Sequence, residues 1–317
     1  MAELRQSAPP PNDIAIDVSG LSKSFGGRTV VENLSMQVRR GSIYGFLGPN
    51  GSGKTTTIRM LCGLLTPDRG EGTCLGYDIR RDANKIKLRV GYMTQRFSLY
   101  QDLSVRENLE FVARLYGMRS PRTAARDMIR RLGLDGREEQ LAGELSGGWK
   151  QRLALGACTL PGPDLLLLDE PTAGVDPKAR REFWNEIHAL AGEGLTVLVS
   201  THYMDEAERC HEIAYIAYGK LLAHGTVEEV IARSALTTYT VTGDDLNGLS
   251  GELAGKAGVD MVAPFGTSLH VSGRDAAALE ASIAPYRARE GLSWQKAAPS
   301  LEDVFIELMG RSKDNFR

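Results

Sequence analysis

The sequence predicts an α/β fold in which a mixed sheet is flanked by helices, carries an inserted helical region and is followed by a small α+β region. Strand-like apolar segments alternate with segments whose apolar residues recur at helical spacing. The runs LLLLD at 165–169 and LTVLVS at 195–200 are continuously apolar, as in parallel strands buried on both faces. A glycine-rich loop at 48–56 stands between a predicted strand and a predicted helix.

Short strands lead into this loop, and a helix leaves it. Residues 14–47 alternate apolar segments with turn signals such as GGRT and RRGS, a pattern that predicts strands. After the loop, residues 55–65 have helical apolar spacing, and Thr66 with Pro67 ends the predicted helix.

The inserted region, from about 99 to 160, is predicted to be helical. Ser104 and Glu107 match a capping box at the start of its first helix. A second helix is predicted to begin at Pro121 and to end near Gly133. One face of the first helix is predicted to carry the apolar residues Leu109, Val112, Ala113 and Tyr116.

Strands and helices alternate again in the rest of the chain. Asp176 is predicted to cap a helix that opens at Pro177 and runs to about Ala191, and a hairpin is predicted to turn at Gly219 and Lys220. Beyond about Ala235 the segments follow the order β-α-β-β-α-β-α, which predicts a small ferredoxin-like appendage.

Composition and charge narrow the class of protein. The 317 residues are 42% hydrophobic and 25% charged, typical of a globular chain with more than one domain. A net charge of −2 lacks the basic excess of a nucleic-acid binder, so we expect no nucleic-acid partner.

No apolar run approaches the roughly 18–20 residues of a membrane span. The Pro-rich residues 1–12 predict a disordered tail without a secretory signal. The four cysteines form no CxxC pair, so we expect reduced thiols and neither disulfides nor a cysteine metal site.

The loop GPNGSGKTT matches the phosphate-binding pattern GxxxxGK[ST] in the required setting of strand and helix. Its glycines let the backbone wrap a polyphosphate and direct N–H groups at it. Lys54 can reach the β- and γ-phosphates as a point charge, and the Thr55 hydroxyl is placed to ligate Mg²⁺. This phosphate loop consists of Gly48, Pro49, Asn50, Gly51, Ser52, Gly53, Lys54, Thr55 and Thr56.

Polar residues at the ends of predicted strands could supply the remaining chemistry, since phosphoryl transfer needs a metal-binding carboxylate and a group that activates water. Asp169 ends an apolar strand as the predicted Mg²⁺ partner, and Glu170 follows as the predicted general base. His202, just past the strand at 195–200, is predicted to hydrogen-bond the γ-phosphate; the alternative for a lone histidine is a structural role. Gln95 also ends a short strand and offers a neutral ligand to a metal or to water.

A second predicted anion-binding segment lies far from the phosphate loop in the sequence, in ELSGGWKQRLAL at 144–155. Ser146, Gly147 and Gly148 open a predicted helix, and the free N–H groups of a helix N-terminus bind anions. If the inserted region projects from the sheet, this turn cannot reach its own chain's nucleotide. It can reach the nucleotide of a second copy, which a two-fold dimer would allow.

The segments GPNGSGKTT, GYMTQ, LSGGWKQR, LLLLDEPTAGVD and STH stand in the order of an ABC-transporter ATPase cassette, and the chain resembles that family over about 14–235. The resemblance implies a P-loop NTPase cassette at 13–235 with a helical subdomain at about 97–160, and a small accessory domain at 236–317. It also implies that ATP and Mg²⁺ bind and that Phe25 stacks on adenine. The alternative for Phe25 is an ordinary aromatic at a strand edge.

The resemblance further implies that two ATPase subunits bind each nucleotide between them, head to tail. We expect the two subunits to be copies of this chain; the alternative is a mixed pair. Asp176 would lie at the dimer seam. Many cassettes carry glutamine where this chain has Trp149; we expect function to survive because the backbone anion site does not depend on that side chain. The signature segment that would contact the partner's ATP is Leu145, Ser146, Gly147, Gly148 and Trp149.

Two longer segments, GYMTQRFSLYQDLSVRENLEFVARLYG and the ending PSLEDVFIELMG, resemble the exporter branch that works with separate ABC-2-type permeases, including multidrug exporters. The implied function is ATP hydrolysis that drives export, with the chain held by its permease at the cytoplasmic face of the inner (plasma) membrane. The apolar side chains of Phe97, Leu99 and Tyr100 form the predicted landing surface, the patch that the permease would contact.

Two other functions compete with that of a transporter subunit. An ABC ATPase acting on nucleic acid or the ribosome is disfavoured by the single uninterrupted cassette and the lack of a basic excess. A non-hydrolysing binding module is disfavoured because Glu170 and His202 are both present.

Overall fold

The structure, a computed structural model, describes residues 13–311 and divides the chain into two compact units, Met1–Leu221 and Leu222–Arg317. The predicted disordered tail at 1–12 lies outside the described residues. The predicted domain boundary at 235/236 and the helical subdomain limits remain predictions. Between residues 13 and 311, no helix is long and apolar enough to cross a membrane.

The first unit contains two sheets and seven α-helices among its described residues. Its strands are β1 (Ile14–Phe25), β2 (Arg28–Arg39), β3 (Ile43–Leu47), β4 (Arg69–Cys74), β5 (Tyr77–Asp78), β6 (Val90–Met93), β7 (Leu165–Asp169), β8 (Thr196–Thr201), β9 (Glu212–Ala217) and β10 (Lys220–Gly225), the last of which runs past the division. Its helices are α1 (Lys54–Leu61), α2 (Ala83–Lys87), α3 (Val105–Leu115), α4 (Pro121–Arg131), α5 (Gly147–Thr159), α6 (Pro177–Gly192) and α7 (Met204–Ala207).

The larger sheet has the strand order β10-β9-β3-β8-β7-β6, and β9, β3, β8, β7 and β6 pair in parallel. Every residue of β3, β7 and β8 is buried, which explains their continuous apolar runs. Alternate residues of β7 face two separate cores: Leu165 and Leu167 pack with α1 and the smaller sheet, Leu166 and Leu168 with α5 and α6. Parallel pairing brings the carboxyl ends of these strands to one edge.

The smaller sheet is antiparallel, with the order β2-β1-β4-β5. The sequence patterns placed β1, β2 and β3 correctly. The helix after the phosphate loop is shorter than predicted: α1 ends at Leu61 instead of Leu65, because Gly63 adopts a left-handed conformation with φ of 71°.

The helical region forms its own buried cluster from α3, α4 and α5. The predicted capping box is present at α3, where the side chains of Ser104 and Glu107 each accept the other's backbone N–H. Leu109, Val112 and Ala113 of the predicted face are buried. Tyr116, the fourth residue of that face, is the C-cap of α3: its N–H donates to the Val112 carbonyl oxygen at 3.1 Å, and its side chain is 40% exposed.

The cap of α6 is as predicted, and the turn of the β9–β10 hairpin lies one residue from its predicted position. Asp176 caps α6, its Oδ1 accepting hydrogen bonds from the backbone of Lys178 and Ala179, as predicted. The hairpin between β9 and β10 turns at Tyr218 and Gly219, one residue earlier than predicted, because these two residues take the positive φ angles of the turn.

The second unit holds an antiparallel sheet of four strands in the order β12-β13-β11-β14. From β11 onward its elements follow the predicted order and fit a ferredoxin-like arrangement, with α9 and α10 contributing to one core. Its elements are α8 (Val227–Ser234), β11 (Thr237–Gly243), α9 (Leu246–Leu253), β12 (Met261–Phe265), β13 (Ser268–Gly273), α10 (Ala276–Arg287), β14 (Leu292–Ala297) and α11 (Leu301–Arg311).

Candidate nucleotide-binding site

An open cavity of about 250 Å³ lies where the phosphate loop, Gln95 and Glu170 meet. The loop follows β3, Gln95 follows β6 and Glu170 follows β7, so the parallel sheet delivers all three to the same edge. Val30 of β2 closes one side of the cavity. This is the crevice outside the carboxyl ends of the strands in which α/β proteins bind ligands.

The path of the phosphate loop requires glycine at two of its positions. Gly48 has a φ of 152°, and a Cβ built there would lie 2.0 Å from the carbonyl oxygen of Ile216. Gly53 has a φ of 105°, and its Cβ would lie 2.8 Å from the carbonyl oxygen of Val30. The backbone of the loop therefore packs closely against neighbouring strands, which no residue with a side chain would permit.

Two buried polar groups of the loop suit a bound anion. The Ser52 hydroxyl is buried and has no hydrogen-bond partner within the described part of the chain. Lys54 is 4% exposed, and its ammonium donates to the carbonyl oxygens of Gly48 at 2.7 Å and Pro49 at 3.0 Å. Burial lowers the pKa of Lys54, and the adjacent Glu170 carboxylate opposes that shift. A phosphate would add further negative charge beside this desolvated cation.

Glu170 connects the predicted catalytic residues. Its Oε1 lies 3.2 Å from Lys54 Nζ, and its Oε2 accepts a hydrogen bond of 3.0 Å from Gln95 Nε2. His202 Nδ1 lies 3.4 Å from the same Oε2. The structure thus brings Lys54, Gln95, Glu170 and His202 into one cluster, although they come from four separate segments.

The backbone at Glu170 is held in an uncommon conformation. Its φ of 47° is left-handed, which a residue with a side chain adopts only when its surroundings enforce it. Its N–H donates to the backbone oxygen of Ser200 at 3.1 Å and to the Ser200 hydroxyl at 3.0 Å. The same hydroxyl donates to Asp169 Oδ1 at 2.8 Å, so Ser200 orients both carboxylate-bearing residues.

The predicted metal ligands are oxygen donors, which suit Mg²⁺. Asp169 is 2% exposed at the end of β7, and Thr55 and Gln95 line the cavity. From residue 13 to residue 311 there is no cluster of three or more His, Cys, Asp or Glu that could hold a metal unaided. Mg²⁺ commonly binds through one or two carboxylates together with substrate phosphates, so this donor set fits an ion that arrives with a nucleotide.

Comparison with known proteins identifies the family. The model of the family described as "ABC transporter" matches residues 31–173. The chain is 38% identical over 321 residues to the Nod factor export ATP-binding protein I of Ralstonia nicotianae, covering 97% of this chain and 99% of that relative. The chain belongs to the ABC transporter ATP-binding proteins. Similarity to an exporter's ATP-binding protein thus extends over both units.

Other relatives agree with this assignment. The probable multidrug ABC transporter ATP-binding protein YbhF of Escherichia coli is 44% identical over 229 residues, which are 71% of this chain. The chain spans only 39% of that relative's length. Among solved structures, cbiO1 of Clostridium perfringens, described as part of the ABC transporter complex cbiONQ, matches with a TM-score of 0.64 and 26% identity over 70% of this chain and 92% of its own. A structure described as the ATP binding subunit of an ABC transporter matches with a TM-score of 0.63 and 28% identity over 69% of this chain and 92% of its own.

Several predicted site residues of this ABC protein do not line the cavity. Ser146 is the N-cap of α5 and is exposed. Within the described chain, residues 145–149 do not line the cavity. Asp176 is exposed at the N-terminus of α6, where it caps that helix. Phe25 is 50% exposed, with Lys23 Nζ 5.6 Å from its ring centre.

Trp149, the residue by which the signature departs from many ABC cassettes, packs against cations. The guanidinium carbons of Arg137 and Arg152 lie 4.7 Å and 5.0 Å from its ring centre. Arg152 also donates to the Leu132 carbonyl at 3.0 Å and pairs with Glu182 of α6. Trp149 therefore belongs to a contact that joins α5 to the end of α4 and to α6.

Sequence reasoning missed several residues that support the site. Ser200 and Thr201 end the apolar strand β8 and are 0% and 1% exposed, and buried hydroxyls in such a run were an available signal. Glu206 is 0% exposed on α7, and Thr172 is 1% exposed after Glu170. Nothing local in the sequence indicates that these residues meet, because they come from different segments.

Proposed function

We propose that this chain hydrolyses ATP in a head-to-tail dimer and thereby drives export through a separate ABC-2-type permease. The observation that carries the proposal is the cluster of Lys54, Gln95, Glu170 and His202 beside the phosphate loop. Export is supported by the names of the relatives, which are a multidrug transporter protein and a Nod factor export protein.

The phosphate loop, Gly48 through Thr56, would hold the triphosphate through its backbone N–H groups, and Phe25 would stack on adenine. Lys54 would exchange part of its contact with Glu170 for phosphate oxygens. Thr55, Gln95 and Asp169 would hold Mg²⁺, which would neutralise charge on the phosphate oxygens.

Glu170 is the proposed general base. Its Oε2 receives the Gln95 amide and lies near His202, while its Oε1 faces Lys54. When the phosphates draw Lys54 away, Oε1 becomes free to accept a proton from the attacking water. His202 would hydrogen-bond the γ-phosphate and keep the carboxylate oriented.

A second copy would complete the site. The signature segment, Leu145 through Trp149, does not line its own chain's cavity, and Ser146 is exposed with its helix N-terminus available to an anion. Two copies related by a two-fold axis would each present this segment to the other's nucleotide, with Asp176 at the seam. Loss of the γ-phosphate would then loosen the pair.

The permease contact is proposed on the helical region. Tyr100 is 53% exposed and makes an edge-to-face contact with the partly exposed Phe111, with ring centres 5.2 Å apart. Leu115, one turn further along α3, is 65% exposed. Phe97 and Leu99 instead pack partly against the buried helical cluster, so Tyr100 is the exposed member of the predicted landing surface. Through this contact the chain would be peripheral to the cytoplasmic face of the membrane.

The replacement Glu170→Gln tests the function. It keeps the shape of the side chain but removes the base, so we expect ATP binding to persist and hydrolysis to fall by about 10²- to 10⁴-fold. Because the γ-phosphate is then retained, the dimer should accumulate. Phosphate release and light scattering after size-exclusion chromatography measure the two effects. A monomeric variant with wild-type turnover would refute the role of Glu170.

A further inference from the structure

Glu206 is the most enclosed charged group near the site, and the hydrolytic roles above do not use it. It lies on the short helix α7 and is 0% exposed. Its Oε1 accepts a hydrogen bond of 2.5 Å from the Thr172 hydroxyl, and its Oε2 accepts one of 2.6 Å from the Thr201 hydroxyl. A carboxylate so deeply buried is retained only where its partners compensate for lost hydration.

The compensating cation is Arg180 of α6. Its Nε lies 3.6 Å from Glu206 Oε1, is buried and has no hydrogen-bond partner within residues 13–311. The guanidinium lies 4.1 Å from the ring centre of Tyr203, and that ring lies 4.1 Å from the ring of His202. Contacts therefore run without a break from Glu206 through Arg180 and Tyr203 to His202.

The three partners of Glu206 belong to three segments that surround the reacting residues. Thr172 is two residues beyond Glu170, Thr201 is immediately before His202, and Arg180 lies in the helix that Asp176 caps. The Thr201 hydroxyl also accepts the backbone N–H of Tyr203 at 3.0 Å, which fixes the turn that carries His202. Glu206 thus links the segment that carries Glu170 to the segment that carries His202.

We propose that Glu206 is a positioning residue for ATP hydrolysis: it holds the Thr172 and Thr201 segments together so that Glu170 and His202 keep their 3.4 Å separation. The inference rests on the proposed function. Glu170 has a left-handed φ of 47°, a conformation that needs external restraint, and the Thr172 hydrogen bond restrains the chain just beyond it. Small displacements of a catalytic group cost large factors in rate, so the effect should fall on kcat.

The pair Thr172→Val and Thr172→Ser tests this role. Valine has nearly the shape of threonine but cannot donate to Glu206, whereas serine keeps the hydroxyl. We expect Thr172→Val and Glu206→Gln to lower kcat about 10- to 100-fold, and Thr172→Ser to restore most of it. The ATP Kd and the amount of ATP bound per chain should be unchanged, because the phosphate loop is not touched. The readouts are phosphate release and calorimetric titration of the full chain with ATP.

Glu208→Gln is the matched control, because Glu208 is exposed beside the same short helix and should leave kcat unchanged. Wild-type kcat in a folded Thr172→Val chain would overturn the positioning role. A parallel loss of bound ATP and of kcat would also overturn it, since that result shows only a loss of folded protein. Glu170→Gln in the same assay separates the two proposals: if it retains turnover, the proposed function fails, and if it alone loses turnover, only the role of Glu206 fails.

Discussion

Lys54 is a cation that the fold buries before any phosphate is present. Its ammonium rests on two backbone carbonyl oxygens and the Glu170 carboxylate, and burial lowers its pKa. Burying this ion pair costs hydration free energy, and a bound phosphate would add a further anion beside the ammonium. The residue is therefore better explained by ligand binding than by stability.

Replacement of Lys54 by alanine should weaken ATP binding. Hydrogen bonds to charged groups contribute about 1.5–3 kcal/mol, so we expect the Kd to rise about 10- to 100-fold. Calorimetric titration with ATP measures the change, and Lys296→Ala, an exposed replacement in the second unit, is the control. Unchanged affinity would mean that the phosphate loop is not the nucleotide site.

Helix α5 shows how a secondary-structure element is positioned by its neighbours. Its N-terminus carries the signature segment, and the stack of Arg137, Trp149 and Arg152 joins its first turns to α4 and α6. The anion site proposed at Ser146 would depend on where this helix begins. Trp149 thus acts on the packing of the helix, which glutamine at this position would not reproduce.

Replacement of Trp149 by alanine should destabilise the helical region. Losing two cation–π contacts and part of an apolar cluster should lower the free energy of unfolding by about 1–3 kcal/mol. Urea unfolding followed by circular dichroism measures this, and Gln151→Ala on the same helix is the control. A midpoint equal to that of the unmodified chain would show that the stacked arginines do not stabilise α5.

The chain contains two segments that are predicted to bind phosphate, and they do not share a cavity. The phosphate loop lines the cavity of about 250 Å³, whereas the exposed signature turn lies outside that lining. We propose that a single chain supplies half of each of two nucleotide sites. Pairing two copies would use both features at once.

Replacement of Ser146 by arginine tests that pairing. The side chain is exposed, so the chain should fold and bind ATP, but the bulky cation would block the partner's approach. We expect a monomer in the presence of ATP and loss of hydrolysis. Analytical ultracentrifugation and phosphate release check both, with Thr123→Arg on the exposed face of α4 as the control. Full activity of the Ser146→Arg chain would rule out the shared site.

The locally encoded features of this chain can be read from its sequence. The apolar runs of β7 and β8, the glycine-rich loop and the caps at Ser104 and Asp176 were all recognisable, because strand burial, positive φ angles and helix ends leave signatures within a few residues. The family's motifs then indicated which strand ends matter for nucleotide chemistry.

Which side chains meet is set by the packing of distant segments. The Glu206 contacts join Thr172, Arg180 and Thr201, and the Trp149 stack joins residues from separate segments, so no local pattern reveals either. Contacts between distant segments are set by how whole elements pack, and a one-dimensional pattern does not record that packing.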